Sequence, residues 1–478
     1  MHFKTLLLTF LLTACGDAPL EFEGQPCAHA PQSGEGVSYD ADHMGCVDIT
    51  MEPEDFEALA DQYRFEGDVD DQWPEIISAT ARSCSEPYPS EYSYFSADIE
   101  TDGWQASDVG IRKKGFIGST VGAGLRPSLK VKTDEFIDGQ QMGDTDRATF
   151  NNNHQDPSRT RTCLAYSVFA DAGHPAPLCN LANVSMNGEP LGAYSHVESI
   201  KKRFLRRTFG NDDGSLYEGT LADFTDAHLA GLPSNLGRFE SKTSDTDPTG
   251  LRLQMVADAL QAPNDELEGA LAEVLDLDAF MLFWALETVT NHNDGYAANT
   301  NNFYIYFDPD NGGRGVFIPW GTDQTMYDWR RSMVTSELTR RISRVPELRE
   351  RYLDTVQWVL DEVWDEAVLH ERIDAFEAQV LTAEKGPSYR KESAKALRDW
   401  VDGRRADIED FVADGGEIGQ AGQGPCTGDT DPRDFLLAAE VATVAGATCS
   451  SARLEPSTGL LLLLLLAIRR SPRSRARA

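Results

Sequence analysis

Residues 291–329 read NHNDGYAANTNNFYIYFDPDNGGRGVFIPWGTDQTMYDW and set carboxylates and amides on both sides of a short hairpin. The run Phe303-Tyr304-Ile305-Tyr306 alternates aromatic and aliphatic side chains, Asp310-Asn311-Gly312-Gly313 is a turn signal, and Val316-Phe317-Ile318 is the return strand. Asp294 and Asn302 precede that hairpin and Asp323 follows it, so a compact fold brings all three to one end. Carboxylate and amide oxygens gathered there suit a hard cation such as Mg²⁺ or Mn²⁺ that keeps part of its water shell and also binds phosphates. The plainer alternative is that Asn, Asp and Gly fill ordinary turns. His292 stands beside Asp294, and a lone histidine in such a place reads as a hydrogen-bonded structural residue. The chain shows no H-E-x-x-H, G-x-S-x-G or C-x-x-C pattern.

Basic residues complement these acids upstream. Lys130 and Lys132 stand two apart in a strand and therefore share a face. They follow a glycine-rich segment, residues 118–124, whose Gly122 and Gly124 could turn backbone N–H groups toward phosphates. Arg112 and Lys114 sit in the preceding strand, and Glu198, at the entry to a basic helix of residues 201–207, is the acid chosen to orient Lys130. Residues 267–290 read as one strongly apolar helix, bulky all round and therefore buried, which anchors the loop that carries Asp294.

Several blocks in order resemble the CotH kinase family, a divergent branch of the protein-kinase fold. They are Arg112-Lys113-Lys114-Gly115; Asp156, Ser158 and Arg161 of a D-x-S-x-x-R helix start; Val184, Asn187, Gly188, Gly192, Tyr194 and Glu198 of a hairpin; Asn293-Asp294; Asn301 to Tyr306; and residues 319–323. They cover roughly residues 45–410. One departure is Gly321, where the family's P-W-D-x-D pattern has its first acid. The resemblance implies an α+β fold of two lobes, the first strand-rich (residues 45–219) and the second mainly helical (residues 220–414). It implies transfer of the γ-phosphate of ATP to Ser or Thr hydroxyls, with Mg or Mn. Asp294 then orients the hydroxyl, Asn302 and Asp323 hold metal, and Lys130 with Glu198 serves the phosphates. Arg112, Lys114, Lys132, Gly122 and Gly124 line the nucleotide. On this reading Gly321→Asp preserves or raises activity. The competing class is a non-catalytic pseudokinase scaffold or adhesin at the cell or spore surface, favoured by Gly321 in place of a family acid and by the scarcity of ATP outside the cytoplasm.

The 478 residues carry a formal net charge of −35, which argues against nucleic-acid binding, since phosphate neutralisation needs a basic surface. Residues 1–15 read as an export signal ending in Leu12-Thr13-Ala14-Cys15, which resembles a lipobox and implies acylation of Cys15 and a membrane-anchored lipoprotein at the outer membrane or cell surface. Residues 16–44 are a spacer, and 415–448 are a linker whose first part, 415–431, is rich in Gly, Gln and Asp. Residues 449–478 combine Cys449, a leucine run and arginines, and resemble myxobacterial C-terminal sorting tails; the apolar run falls short of the ~20 residues a spanning helix needs. The expected protein partner is a surface or coat protein. Export allows disulfides, and Cys163 with Cys179, in one continuous segment, is the first pairing expected.

Overall fold

Strand alternation builds the first half of the molecule. In β3 of the computed structural model (Trp104–Lys114), Val109, Ile111 and Lys113 point inward while Arg112 and Lys114 point outward. The inward Lys113 donates to the Ala60 carbonyl and lies over the Tyr63 ring, which makes its burial tolerable. Described are residues 23–29, 39–63, 86–87, 90, 92–102, 104–116, 119, 126–143, 145–243, 247–328, 330–385 and 389–420. Gly122, Gly124, Cys15 and the C-terminal tail lie outside these residues.

β3 belongs to a closed barrel with β1 (Gly45–Thr50), β2 (Phe95–Thr101), β4 (Ser128–Lys132), β5 (Arg147–Asn151), β6 (Cys179–Met186) and β7 (Glu189–Val197), in the order β1-β2-β3-β4-β5-β7-β6. The parallel pairing of β1 with β6 closes it; every other neighbour is antiparallel. Val47, Ile49, Val109, Ile111, Leu129, Val131 and Val184 fill its interior. Asn187 and Gly188, both at positive φ, make the tight β6–β7 turn.

A second, larger core surrounds an antiparallel sheet of β8 (Ser215–Gly219), β9 (Phe239–Ser241), β10 (Phe303–Asp308) and β11 (Arg314–Pro319), ordered β9-β8-β10-β11. The β10–β11 hairpin forms in the expected register, with Phe303 opposite Pro319. Ser215–Gly219, placed by the sequence with the strand-rich first part, pairs instead with β10; the barrel closes at Val197 and leaves β10 an open edge for it. Residues 267–290 form two helices, Leu267–Val274 and Leu277–Val289, in place of one. The break has a local cause: Leu275 is extended, and the Asp276 side chain caps the second helix by accepting from the Ala279 amide. The second of the two is buried as expected. Its Trp284 stacks on Tyr352 at 3.5 Å, and Phe280 packs against Phe317 of the hairpin. Helix α1 (Arg161–Asp171) joins this core from between β5 and β6, and α2 (Lys202–Phe209) follows β7. The Cys163–Cys179 disulfide forms as expected, and a second joins Cys27 to Cys46. Among the described residues no helix is long and apolar enough to cross a membrane.

Candidate active site

The buried helix Leu277–Val289 delivers the acidic loop. After it the chain turns through Asn291 at φ 52° and enters a one-turn helix, Tyr296–Asn299. The Glu287 carboxylate accepts from the Tyr296 and Ala297 amides at 2.9 and 2.7 Å and so caps that turn from the previous helix. A side chain at Gly295 is excluded, because its Cβ would lie 2.1 Å from Glu287 Oε1. His292 is buried against the same carboxylate at 3.3 Å. Burial opposes its charged form, but the hydrogen bond and charge of Glu287 prevail and raise its pKa. It holds the loop, as a structural histidine should.

Asp294 is half-buried and accepts from three side-chain amides, Asn299 at 2.6 Å, Asn302 at 2.7 Å and Asn301 at 3.1 Å. The hairpin brings the second acid back to the same end: Trp320 donates its amide to the Asn302 carbonyl, and Asn293 donates to the Gln324 carbonyl. Asp323 sits on the 3-10 turn Thr322–Gln324. Its pKa is pushed up to about 6, first by burial and then by the charge of Asp294. A half-buried carboxylate that already feels a neighbouring negative charge makes a seat for a cation. Asn302 and Thr300 are held at φ 49° and 50°, strain that a β-branched residue such as Thr300 accepts only where its surroundings dictate it.

Facing these acids is the outer face of the barrel. Cross-strand pairing sets Arg112 on β3 opposite Lys130 on β4, and Lys130 opposite Thr149 on β5. One rung along, Lys114 hydrogen-bonds Asn151 and lies over the Trp320 ring at 5.5 Å. Burial lowers Lys114 to about 8, against the pull of Asp323 and Glu218. Lys130 is lowered well below the usual lysine value by burial; Glu218 opposes this, while Arg112, Lys242 and Lys114 add to it. Lys130 makes no hydrogen bond or ion pair among the described residues, and this half-buried lysine lines an open cleft. Arg112, Lys130, Arg147, Lys201, Lys242 and Trp320 are among its walls. In a chain of net charge −35, such a cluster of cations fits a polyphosphate.

Several expectations need correction. Glu198 does not orient Lys130. It is buried at the mouth of α2, where Arg203 and Arg207, one helical turn apart, reach back to its carboxylate at 3.1 and 2.7 Å. The acid near Lys130 is Glu218 on β8, which also bonds Lys242 at 2.5 Å. Lys132 shares the outward face with Lys130 but is committed to its own turn, paired with Glu135 at 2.7 Å. Gly321 is no vacant place for an acid: at φ 53° its Cβ would lie 2.6 Å from the Asn302 side chain.

The sequence reading passed over Glu218, which no local pattern marks, and Asn299, which one does. His292-Asn293-Asp294 with Asn299 five residues beyond Asp294 has the spacing of the protein-kinase catalytic loop, H-x-D-x-x-x-x-N. Asn299 is buried, and its Oδ1 accepts no hydrogen bond among the described residues, which leaves an oxygen beside Asp294 for a metal. Asp323, Asn299 and Asn302 thus offer a donor set that fits Mg²⁺ or Mn²⁺.

No curated protein matches the chain. Among solved structures, the Helicobacter pylori proinflammatory kinase CtkA aligns over 63% of this chain and 94% of its own, at 10% identity and a TM-score of 0.33. A chain of the Shewanella oneidensis MR-1 toxin–antitoxin complex of HipA, HipB and operator DNA aligns over 63% of this chain and 66% of its own, at 10% identity and a TM-score of 0.30. The model of the CotH kinase protein family matches residues 118–413, which takes in α1, the cleft's C-terminal wall and both acidic loops, and this chain belongs to that family.

Proposed function

We propose that the protein is an exported, lipid-anchored kinase of the CotH type that moves the γ-phosphate of ATP to Ser or Thr hydroxyls of surface or coat proteins, or of itself. The observation that carries this reading is the approach of the acids to the cationic face of the barrel: Lys114, on the same outward face as the cross-strand pair Arg112–Lys130, feels the charge of Asp323, which in turn feels that of Asp294. The barrel and the second core correspond on this reading to the two lobes of a kinase. Bound Mg²⁺ or Mn²⁺ would supply positive charge against the phosphates of ATP. Asp323, Asn299 and Asn302 would hold the metal. Lys130, Lys114 and Arg112 hold phosphate oxygens, and Glu218 balances the lysines. Asp294, fixed by three amides, accepts the hydrogen bond of the acceptor hydroxyl and aims it. Cys15, outside the described residues, carries the anchor; Cys15→Ser should release the protein from membranes, and unchanged retention removes that part of the proposal.

A second reading, a non-catalytic scaffold, is favoured by Gly321, since the turn has no room for the missing acid. Nucleotide binding separates the two. With a Kd of about 10 μM, about 1 mM ATP stabilises the fold by roughly 2.7 kcal/mol, and the shift should need the metal. A thermal midpoint unmoved by Mg²⁺ and ATP together decides for the scaffold.

A further inference from the structure

The Cys163–Cys179 disulfide ties the first turn of α1 to the start of β6. Cys179 opens β6 and pairs with Val197 of β7; Val197 pairs with Thr149, Thr149 with Lys130, and Lys130 with Arg112. The disulfide's strand end therefore lies on the same cross-strand rung as the two cations. Its other end, Cys163, is in the first turn of α1 and only 2% exposed. The neighbouring Thr162 carbonyl accepts a hydrogen bond from the Thr322 hydroxyl at 3.1 Å, with both residues fully buried. Thr322 opens the turn that bears Asp323, and α1 packs against that turn. One turn further along α1, Tyr166 is buried within reach of the Asp323 charge. At the start of α1, Arg161 is clasped by Asp156 at 2.6 Å and lies over Tyr327, just past the same turn, at 4.1 Å.

We propose that this disulfide is a redox-sensitive brace that holds the Asp323 turn in register with the Lys130 rung, so that the cleft is competent only when the bond is formed. The proposal rests on the phosphoryl-transfer reading for its consequence, though its structural content does not. Release follows from thiol–disulfide exchange with a dithiol. A thiolate of the reductant attacks the sulfur of Cys179, the more accessible of the two, and the S–S bond breaks. Cys163 leaves as a thiolate and takes a proton. The reductant's second thiol then closes its own disulfide and frees Cys179, so two electrons pass to the protein. α1 keeps its apolar packing, but its first turn loses its covalent tie to β6, and the Thr162–Thr322 contact goes with it. A kinase built this way stays idle in a reducing cytoplasm and is completed on export.

The test uses the full chain as Cys163→Ala/Cys179→Ala, with Cys27→Ala/Cys46→Ala as the control for losing the other disulfide. Hydrogen exchange and Mn²⁺ affinity are read together. Amides of residues 320–327 should exchange at least tenfold faster in the first variant and at the wild-type rate in the control, with residues 109–113 of the barrel unchanged. Mn²⁺ binding should weaken about tenfold. Should the first variant not fold, dithiothreitol added to the folded control protein asks the same question, and reoxidation should restore protection. Exchange in residues 320–327 that does not change overturns the proposal, as does unfolding on reduction or equal acceleration along the whole chain. If oxidised wild type binds no Mn²⁺ while the exchange difference appears, the brace stands and the phosphoryl-transfer reading falls.

Discussion

Asp294 offers both carboxylate oxygens to side-chain amides, which orients it before any substrate arrives. Asp323 is the acid whose burial and charged neighbour leave it wanting a cation. Removal of either group costs transition-state stabilisation. Asp294→Ala and Asp323→Ala should each lower phosphoryl transfer at least about a hundredfold, which corresponds to about 2.7 kcal/mol, with the fold intact by circular dichroism. Gly321→Asp behaves differently from what the family pattern alone implies. Its new Cβ meets Asn302, which must leave Asp294, so metal-dependent nucleotide affinity should fall by about tenfold where a simple restored ligand would raise it. Calorimetric titration of metal–nucleotide into Gly321→Asp and wild type distinguishes the two, and tighter binding in the variant would overturn the steric account. Asp294, Asn302 and Asp323 were legible because a hairpin of known register carries all three, so sequence order fixes which end they share. Asn299 is equally legible from its spacing, five residues beyond Asp294.

The two glutamates near the basic residues belong to different elements, and the elements decide their roles. Glu198 ends the barrel and anchors α2 through Arg203 and Arg207, whereas Glu218 rides on β8 into the cleft beside Lys242 and Lys130. Glu198→Gln should therefore destabilise the protein by about 2 kcal/mol, the scale of a hydrogen bond to a charged group, and leave activity per folded molecule nearly unchanged. Glu218→Gln should do the reverse and weaken ATP binding with little loss of stability. Chemical denaturation paired with nucleotide titration reads both, and a Glu198→Gln protein that is stable but cannot bind nucleotide would restore the original pairing. Sequence could not make this choice. Which acid meets Lys130 depends on β8 leaving the barrel to pair with the Phe303 hairpin, a contact 80-odd residues away in the chain that no local periodicity encodes. The break at Leu275-Asp276 is the opposite case: Asp276 is a recognisable cap, but the apolar run on both sides outweighed it.

At the scale of the whole molecule, two cores face each other across a basic cleft in an otherwise acidic protein, and buried neutral histidines lock parts of both. Burial lowers His174 to about 4 and His196 and His228 to about 3. These folded values lie below the unfolded value near 6.5, so the unfolded chain takes the proton first. The stability they confer is complete above about pH 6.5 and is lost as pH falls toward 4. His174, whose Nε2 lies 2.9 Å from the Phe317 carbonyl, accounts for about 2 kcal/mol of the loss between pH 7 and pH 5. His174→Gln should shrink that loss by this amount in urea titrations at the two pH values, and an unchanged loss would contradict the assignment. The strand-rich first part, the hairpin, the buried helix and one disulfide could be read from the chain, because each is set by local alternation, turn residues or short separation. Closure of the barrel by a parallel pair could not, since β1 and β6 lie more than a hundred residues apart. The central claim is that this cleft transfers phosphate, and the most direct measurement follows label from [γ-³²P]ATP into protein Ser and Thr, with Mg²⁺ or Mn²⁺, in purified wild type, Asp294→Ala and Asp323→Ala. Metal-dependent label in wild type that falls at least about a hundredfold in both variants is the predicted result; wild type that takes up no label, or variants that label as wild type does, would contradict it.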